Sequence, residues 1–223
     1  MTERSLRAIR VEEFLVALGS SDPTPGGGAA AAVAGALAAA LAQMVIGLAH
    51  RRAEDPVAST ALAALHERAK ALVAGFLDLA DADVAAYGAV AAALGLPRGT
   101  SEEQERRRAA VQTALKQAAA VPLDTARKAV DVLSLVGEVA AACPKSAQSD
   151  LAAAARLAWA ACSAALDNVD ANALYIEDHD YLRDIAGVRR DLALEAENKA
   201  AWVLVPLEKK LERWLGERDS NPH

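Results

Sequence analysis

The sequence predicts an all-α protein, a multi-helix bundle in one domain, on three observations. About a quarter of its 223 residues are alanine, the strongest helix former. Aromatic residues make up only 4%, and the β-branched and aromatic side chains that strands favour are sparse. The apolar fraction, 53%, suffices for a substantial core and excludes a disordered chain. Small side chains let helix backbones approach closely, so tight packing between helices is expected.

The first helix is Val11–Leu18, with Phe14, Leu15 and Leu18 on one face and Gly19 as its stop. The stretch Ser20-Ser21-Asp22-Pro23-Thr24-Pro25-Gly26-Gly27-Gly28 follows. Its prolines hold it extended, and its glycines remove side chains where a second helix, Ala29–His50, begins. Gly26–Ala49 is long enough for a membrane span. Alanine and glycine dominate it, however, it carries Gln43, and it follows a Pro/Gly turn, so it reads as a buried bundle helix. After the charged break Arg51–Pro56 comes a long helix, Ser59–Leu94, with Leu62, Leu65, Ala69, Leu72 and Phe76 at spacings of three and four. It carries Asp78, Asp81 and Asp83 and ends at Gly95-Leu96-Pro97.

Ser101 with Gln104 forms a capping-box pattern for a helix over Glu102–Val121; Pro122 kinks or restarts it, and Leu123–Ala142 continues. Pro144 breaks the chain, and Ser146 or Ser149 caps a helix to Val169. The last helix, Tyr181–Leu215, has Leu192, Leu194, Trp202, Leu207, Leu211 and Trp214 as apolar positions, and Ser220–His223 is expected to fray. No linker or internal repeat divides the chain, so one domain over residues 1–223 with six to eight helices is expected.

A net charge of −6 and a pI near 5.3 argue against a nucleic-acid groove, and Arg106-Arg107-Arg108 sits among glutamates. Met1–Arg10 is polar and charged, unlike a cleavable signal, and neither a signal nor a membrane partner is expected. Cys143 and Cys162 lack CxxC spacing, which fits a reducing cytoplasm. The four histidines do not pair with carboxylates at ligand spacing, so no metal is expected. Cys162, amid alanines, reads as a small core residue.

The glycine turn opening a helix is the sharpest local feature. Bare backbone N–H groups at a helix N-terminus hold carboxylates, phosphates or polarised carbonyls, but on spacing alone close helix–helix packing that only glycine permits is the favoured reading of Gly26-Gly27-Gly28. No Walker-type GK[ST] follows, and no strand precedes it as a dinucleotide fingerprint requires. Asp78 and Asp81 read as a solvated acidic face, Gln112 as a surface residue, and Asp150 as dipole-favoured acid at a helix start. Asn168 and Asn172 lie at i and i+4 near a helix end. Because asparagine suits a helix interior poorly, the pair implies hydrogen-bonding work.

Pro23-Thr24-Pro25-Gly26-Gly27-Gly28 followed by the alanine-rich helix into Gln43-Met44-Val45 resembles the cyclodeaminase/cyclohydrolase family. That family comprises the C-terminal module of formiminotransferase-cyclodeaminase and the bacterial methenyltetrahydrofolate cyclohydrolases. Further resemblances follow in order: Asp83-Val84-Ala85-Ala86-Tyr87, then Gly95-Leu96-Pro97-Arg98-Gly99-Thr100 with Glu102-Glu103, Arg108 and Gln112. Val121-Pro122-Leu123, Ser149-Asp150, and Asn168-Val169 with Asn172 complete the series. The segment around Gly95-Leu96-Pro97 is similar to the cyclohydrolase branch.

The resemblance implies an all-helical homodimer of the formiminotransferase-cyclodeaminase C-terminal type, acting on a folate one-carbon unit without cofactor. The leading expectation is hydration of 5,10-methenyltetrahydrofolate to 10-formyltetrahydrofolate. The alternatives are formiminotetrahydrofolate cyclodeaminase, a diverged member acting on another cyclic amidine or imine, or a non-catalytic helical dimer. On this analogy Asp83 or Asp150 transfers the proton and Gln112 orients water or substrate. Thr24, Pro25, Gly26, Gly27 and Gly28 close over the ligand, with Ser149, Asn168 and Asn172 as further substrate-binding groups. The chain departs from the family pattern at Gly47 and Ala49, at His50-Arg51-Arg52-Ala53-Glu54-Asp55, where lysines and an aromatic are usual, and at Cys143–Gln148.

Overall fold

The computed structural model describes residues 5–219, with side chains to Leu207 and at Lys209. The end expected to fray, Ser220–His223, and the side chains of Leu211 and Trp214 lie outside the described residues. Six α-helices follow one another: α1 Val11–Leu18, α2 Gly27–His50, α3 Pro56–Leu94, α4 Ser101–Val139, α5 Gln148–Ala173 and α6 His179–Asp219. Short 3-10 turns occupy Leu6–Ala8, Ala140–Ala142 and Lys145–Ala147. The all-α expectation holds, with no strand among the described residues.

Local chemistry sets the helix ends, and at several it differs from the sequence reading. Helix α3 starts at Pro56 rather than Ser59, because the Asp55 side chain accepts from the Val57 and Ala58 amides at 3.3 and 3.1 Å. The cap of α4 is Thr100, not Ser101: its Oγ1 accepts from Glu103 N at 3.2 Å, and Glu103 returns a bond to Thr100 N at 3.1 Å. Neither Ser146 nor Ser149 caps α5, whose N-cap is Ala147 with no side-chain bond. Helix α4 runs unbroken through Pro122, whose ring is fully buried. Burial of this stretch of α4 in the bundle holds the helix where the ladder loses a bond.

Helices α2 to α5 alternate in direction, and α2 packs against α3, α4 and α5. The shared core holds Val45, Ile46, Phe76, Leu133, Val136 and Leu151 among many alanines. Alanines bury little area each, so cohesion depends on close approach of backbones. Glycines make the α2–α3 approach possible: a Cβ at Gly35 would stand 2.6 Å from Cζ of Phe76, and one at Gly28 would stand 2.6 Å from Cγ of Asp83. These two contacts are seven residues apart on both helices, which fixes their antiparallel register.

The lengths of the helices create a vacancy at one end. Asp83 lies level with the start of α2, yet α3 continues eleven residues further, about 16 Å, to Leu94. The α3–α4 hairpin therefore overshoots α2. A second apolar cluster of Leu115, Ala119 and Ile176 lines the overshoot, backed by Val90, Val111, Tyr181 and Leu182. The N-terminal segment is tied to α3 nearby: Leu6 N donates to Asp81 at 2.6 Å, Ser5 Oγ also bonds Asp81, and Arg7 pairs with Asp78 at 2.7 Å. Asp78 and Asp81 thus hold the segment before α1 and are not a purely solvated face.

Gly35→Ala should destabilise the fold by about 1–3 kcal/mol, because Phe76 is enclosed and cannot move aside. Urea unfolding measures this, and an unchanged midpoint would contradict the proposed α2–α3 contact.

Candidate functional site

The vacancy above α2 is a pocket of about 630 Å³, a size suited to a small-molecule ligand. Its floor is the start of α2, Gly26–Gly28, with Pro23 and Thr24 from the preceding loop. Helix α3 contributes Asp83, Ala86, Tyr87, Val90 and Leu94 in order away from that floor. Helix α4 supplies Val111, Leu115 and Ala118, and α5 supplies Asn168, Ala171 and Asn172, with Tyr175 from the turn after it. The polar groups gather at the floor, and the outer walls are aliphatic and aromatic.

Among the described residues, Asp83 is the one carboxylate that lines the pocket. The N-cap of α2 is Gly26, which has no side chain to satisfy the helix's first N–H groups. Asp83 supplies that cap from α3, accepting from the Ala29 amide. Gly28 is the reason it fits, since any side chain there would occupy the carboxylate's position. Burial pushes the Asp83 carboxyl above the ordinary aspartate value, against a smaller lowering by the Ala29 amide.

The two asparagines are fixed as acceptors or nearly so. Asn172 Nδ2 donates to Ala118 O and to Asn168 O, both at 3.0 Å. Both amide hydrogens are committed to carbonyls, so the atom left to meet a ligand is Oδ1, which only accepts. Asn168 Nδ2 donates to Ala164 O at 2.8 Å, and its amide lies against Gly27. With Asp83, these groups set acceptor oxygens beside the N–H groups that open α2.

Gln112, expected to orient water or substrate, lies on α4 outside the pocket lining. Its Nε2 donates to Tyr175 O at 3.0 Å, and its Oε1 accepts from Glu177 N at 2.8 Å. Both ends of the amide are spent on the α5–α6 turn. One helical turn to either side, Arg108 pairs with Glu177 and Lys116 with Asp178, the latter at 2.7 Å. Gln112 therefore fastens the turn that carries Tyr175 to the pocket mouth.

Ser149 and Asp150 stand apart from the pocket altogether. They begin α5, eighteen or more residues before Asn168, which is about 27 Å along the helix. Asp150 there lies near Cys143, whose thiol is pushed up mainly by burial and further by the Asp150 charge. Gly47, Ala49, Arg51, Arg52 and Cys143–Gln148, where the chain departs from the family pattern, share this opposite end. Thr24, Gly26, Gly27, Gly28, Asp83, Asn168 and Asn172 are thus brought together, whereas Ser149 and Asp150 are not. Pro25 is buried beside them in a cis peptide with Thr24.

Sequence reasoning missed the apolar walls and the tyrosines at the mouth. Tyr87 enters the sequence reading only as the end of the resembling segment Asp83-Val84-Ala85-Ala86-Tyr87, and Tyr175 has no signal, since its place depends on the turn held by Gln112. No group of three or more His, Cys, Asp or Glu converges on a metal-sized site among the described residues. Cys162 is buried, and its thiol is pushed up to about 11 by burial.

A family model described as formiminotransferase-cyclodeaminase matches residues 10–190. A methenyltetrahydrofolate cyclohydrolase from Methylorubrum extorquens is 37% identical over 174 residues, 78% of this chain and 84% of that protein. The rat formimidoyltransferase-cyclodeaminase is 33% identical over 210 residues, 94% of this chain but only 39% of its own length. The crystal structure of a formiminotetrahydrofolate cyclodeaminase from Thermotoga maritima superposes with a TM-score of 0.82 at 27% identity, covering 92% of this chain and 98% of that one.

Asp83→Asn tests the energetics of the floor. The raised pKa means that the native state holds the proton more tightly than the unfolded chain, so ionisation costs stability as pH rises through the folded value. The variant should melt at or above the wild-type temperature at pH 7.5, with the gap closing toward pH 4. A lower melting temperature at pH 7.5 would show that the helix terminus, not burial, dominates this carboxylate.

Proposed function

Because the chain belongs to the formiminotransferase-cyclodeaminase family, we propose that it is an enzyme hydrating 5,10-methenyltetrahydrofolate to 10-formyltetrahydrofolate. The observation that carries this reading is the part-buried Asp83 carboxylate and the Asn172 Oδ1 at the floor of an apolar slot. The substrate's reacting carbon lies between two nitrogens that share a positive charge. Asp83 and the Oδ1 of Asn172 suit such a cation, and Tyr87 and Tyr175 suit the flat rings on either side of it.

In this reading Asp83, ionised, takes one proton from the attacking water as its oxygen bonds to the carbon. The new hydroxyl gives up its proton as the C–N5 bond breaks, N5 is protonated, and the formyl C=O forms on N10. Asp83 then returns its proton to solvent, so the cation and water yield a neutral product and one proton. The raised pKa of Asp83 suits an exchange of protons nearer neutrality than an ordinary aspartate allows. Charge stabilisation and proton transfer suffice for this step, so no metal or redox cofactor is invoked. Gln112 acts by holding the Tyr175 turn, and Ser149 and Asp150 take no part within one chain.

A second reading, closure of 5-formiminotetrahydrofolate with loss of ammonia, is favoured by the likeness to the Thermotoga cyclodeaminase. The carbon attacked is equivalent, and the leaving group differs. We further propose a cytoplasmic homodimer. Exposed Leu37 and Met44 on α2, and Val11, Leu15 and Val16 on α1, form apolar surface that a second copy would cover. Light scattering at micromolar concentration should give twice the chain mass, and a monomer would end that proposal.

Loss of methenyltetrahydrofolate absorbance should accelerate with the wild-type protein, and Asp83→Ala should lower kcat/KM by about 100-fold or more. Asp150→Ala should stay within about threefold of wild type. Ammonia release from the formimino substrate, without hydrolysis of the methenyl compound, would replace the first reading with the second.

A further inference from the structure

Pro122 sits in the middle of α4, in a helix that does not break there. A proline has no N–H, so the carbonyl four residues earlier, that of Ala118, receives no bond from position 122. The ring also presses against that carbonyl and tips it away from the helix axis. Ala118 lines the pocket, and its carbonyl oxygen is the one that Asn172 Nδ2 reaches across from α5 at 3.0 Å. The proline makes the vacancy, and the asparagine fills it.

We infer that Pro122 is a positioning residue for the pocket: by freeing the Ala118 carbonyl, it locks the Asn172 amide with Oδ1 as the atom offered to the ligand. Asn172 has two amide hydrogens. One returns to its own helix at Asn168 O, and the other crosses to Ala118 O. Without the second anchor the amide can turn over and offer N–H groups instead. Against a cationic carbon that exchange replaces a partial negative charge with a partial positive one. The same bond joins α4 to α5 at the pocket wall and so fixes the slot's width there.

Pro122 touches none of the pocket-lining surface itself; it acts through Ala118 and Asn172. Restoring an N–H at position 122 draws the Ala118 carbonyl back into the helix ladder. Helix stability and pocket function are therefore expected to move in opposite directions, which a purely structural proline would not produce.

The catalytic part of this inference rests on the reading above, so its test has an arm that needs no substrate. In protein labelled with 15N-asparagine, the Asn172 side-chain amide is assigned by its disappearance in Asn172→Ala. Pro122→Ala, or the bulkier Pro122→Val, should speed hydrogen exchange of that amide about tenfold or more, with a melting temperature for Pro122→Ala at or above wild type. Unchanged exchange in both variants overturns the proposal. On 5,10-methenyltetrahydrofolate, Pro122→Ala should lower kcat/KM about tenfold in the wild-type background and less than about twofold in the Asn172→Ala background. Equal losses in the two backgrounds also overturn it. A wild-type protein that leaves this substrate unchanged defeats the hydrolase reading, and the exchange arm then decides the inference.

Discussion

The seating of the Asp83 carboxylate on the first turn of α2 is the contact on which the arrangement depends. It brings a capless helix start and a buried acid together, each satisfying the other's need. It requires glycine at position 28, because the carboxylate fills the volume a side chain would take. It also fixes how far α3 runs past α2, and the pocket is the space left by that overshoot. Fold register, pocket position and the protonation of the acid therefore share one cause.

Much of this economy follows from composition. A core made of alanines has little area to bury per residue, so its helices must come close, and the glycines at 28 and 35 permit it. Close helices leave little internal room. The pocket forms where one helix stops short of its neighbours. The same principle explains why the polar groups lie at the floor: the start of α2 exposes N–H groups, while the walls come from helices whose backbones are already satisfied.

The helices themselves could be read from the sequence with small errors at their ends. Val11–Leu18 matches to the residue, because its turn signals are local. Pro122 marks a break in the sequence and none in the structure, where the helix continues through the buried ring despite one absent hydrogen bond. The asparagine pair at 168 and 172 signalled hydrogen bonding, and the bonds exist, but their partner at Ala118 lies 54 residues away and left no trace in the local pattern. Asp83 and the glycine turn were singled out separately; only the fold reveals that one caps the other. Gln112 and Asp150 were associated with chemistry through resemblance, and nothing local said that one clamps a turn and the other sits at the far end of α5.

The most direct test is a crystal structure with a stable tetrahydrofolate-type ligand bound. The carbon between the two nitrogens, or its analogue, should lie within about 3–3.5 Å of the Asp83 carboxylate or of one water that it holds. Asn172 Oδ1 should face the same carbon, with the rings between Tyr87 and Tyr175. A ligand seated instead at the start of α5, against Asp150, would show that the pocket above α2 is not the reacting site.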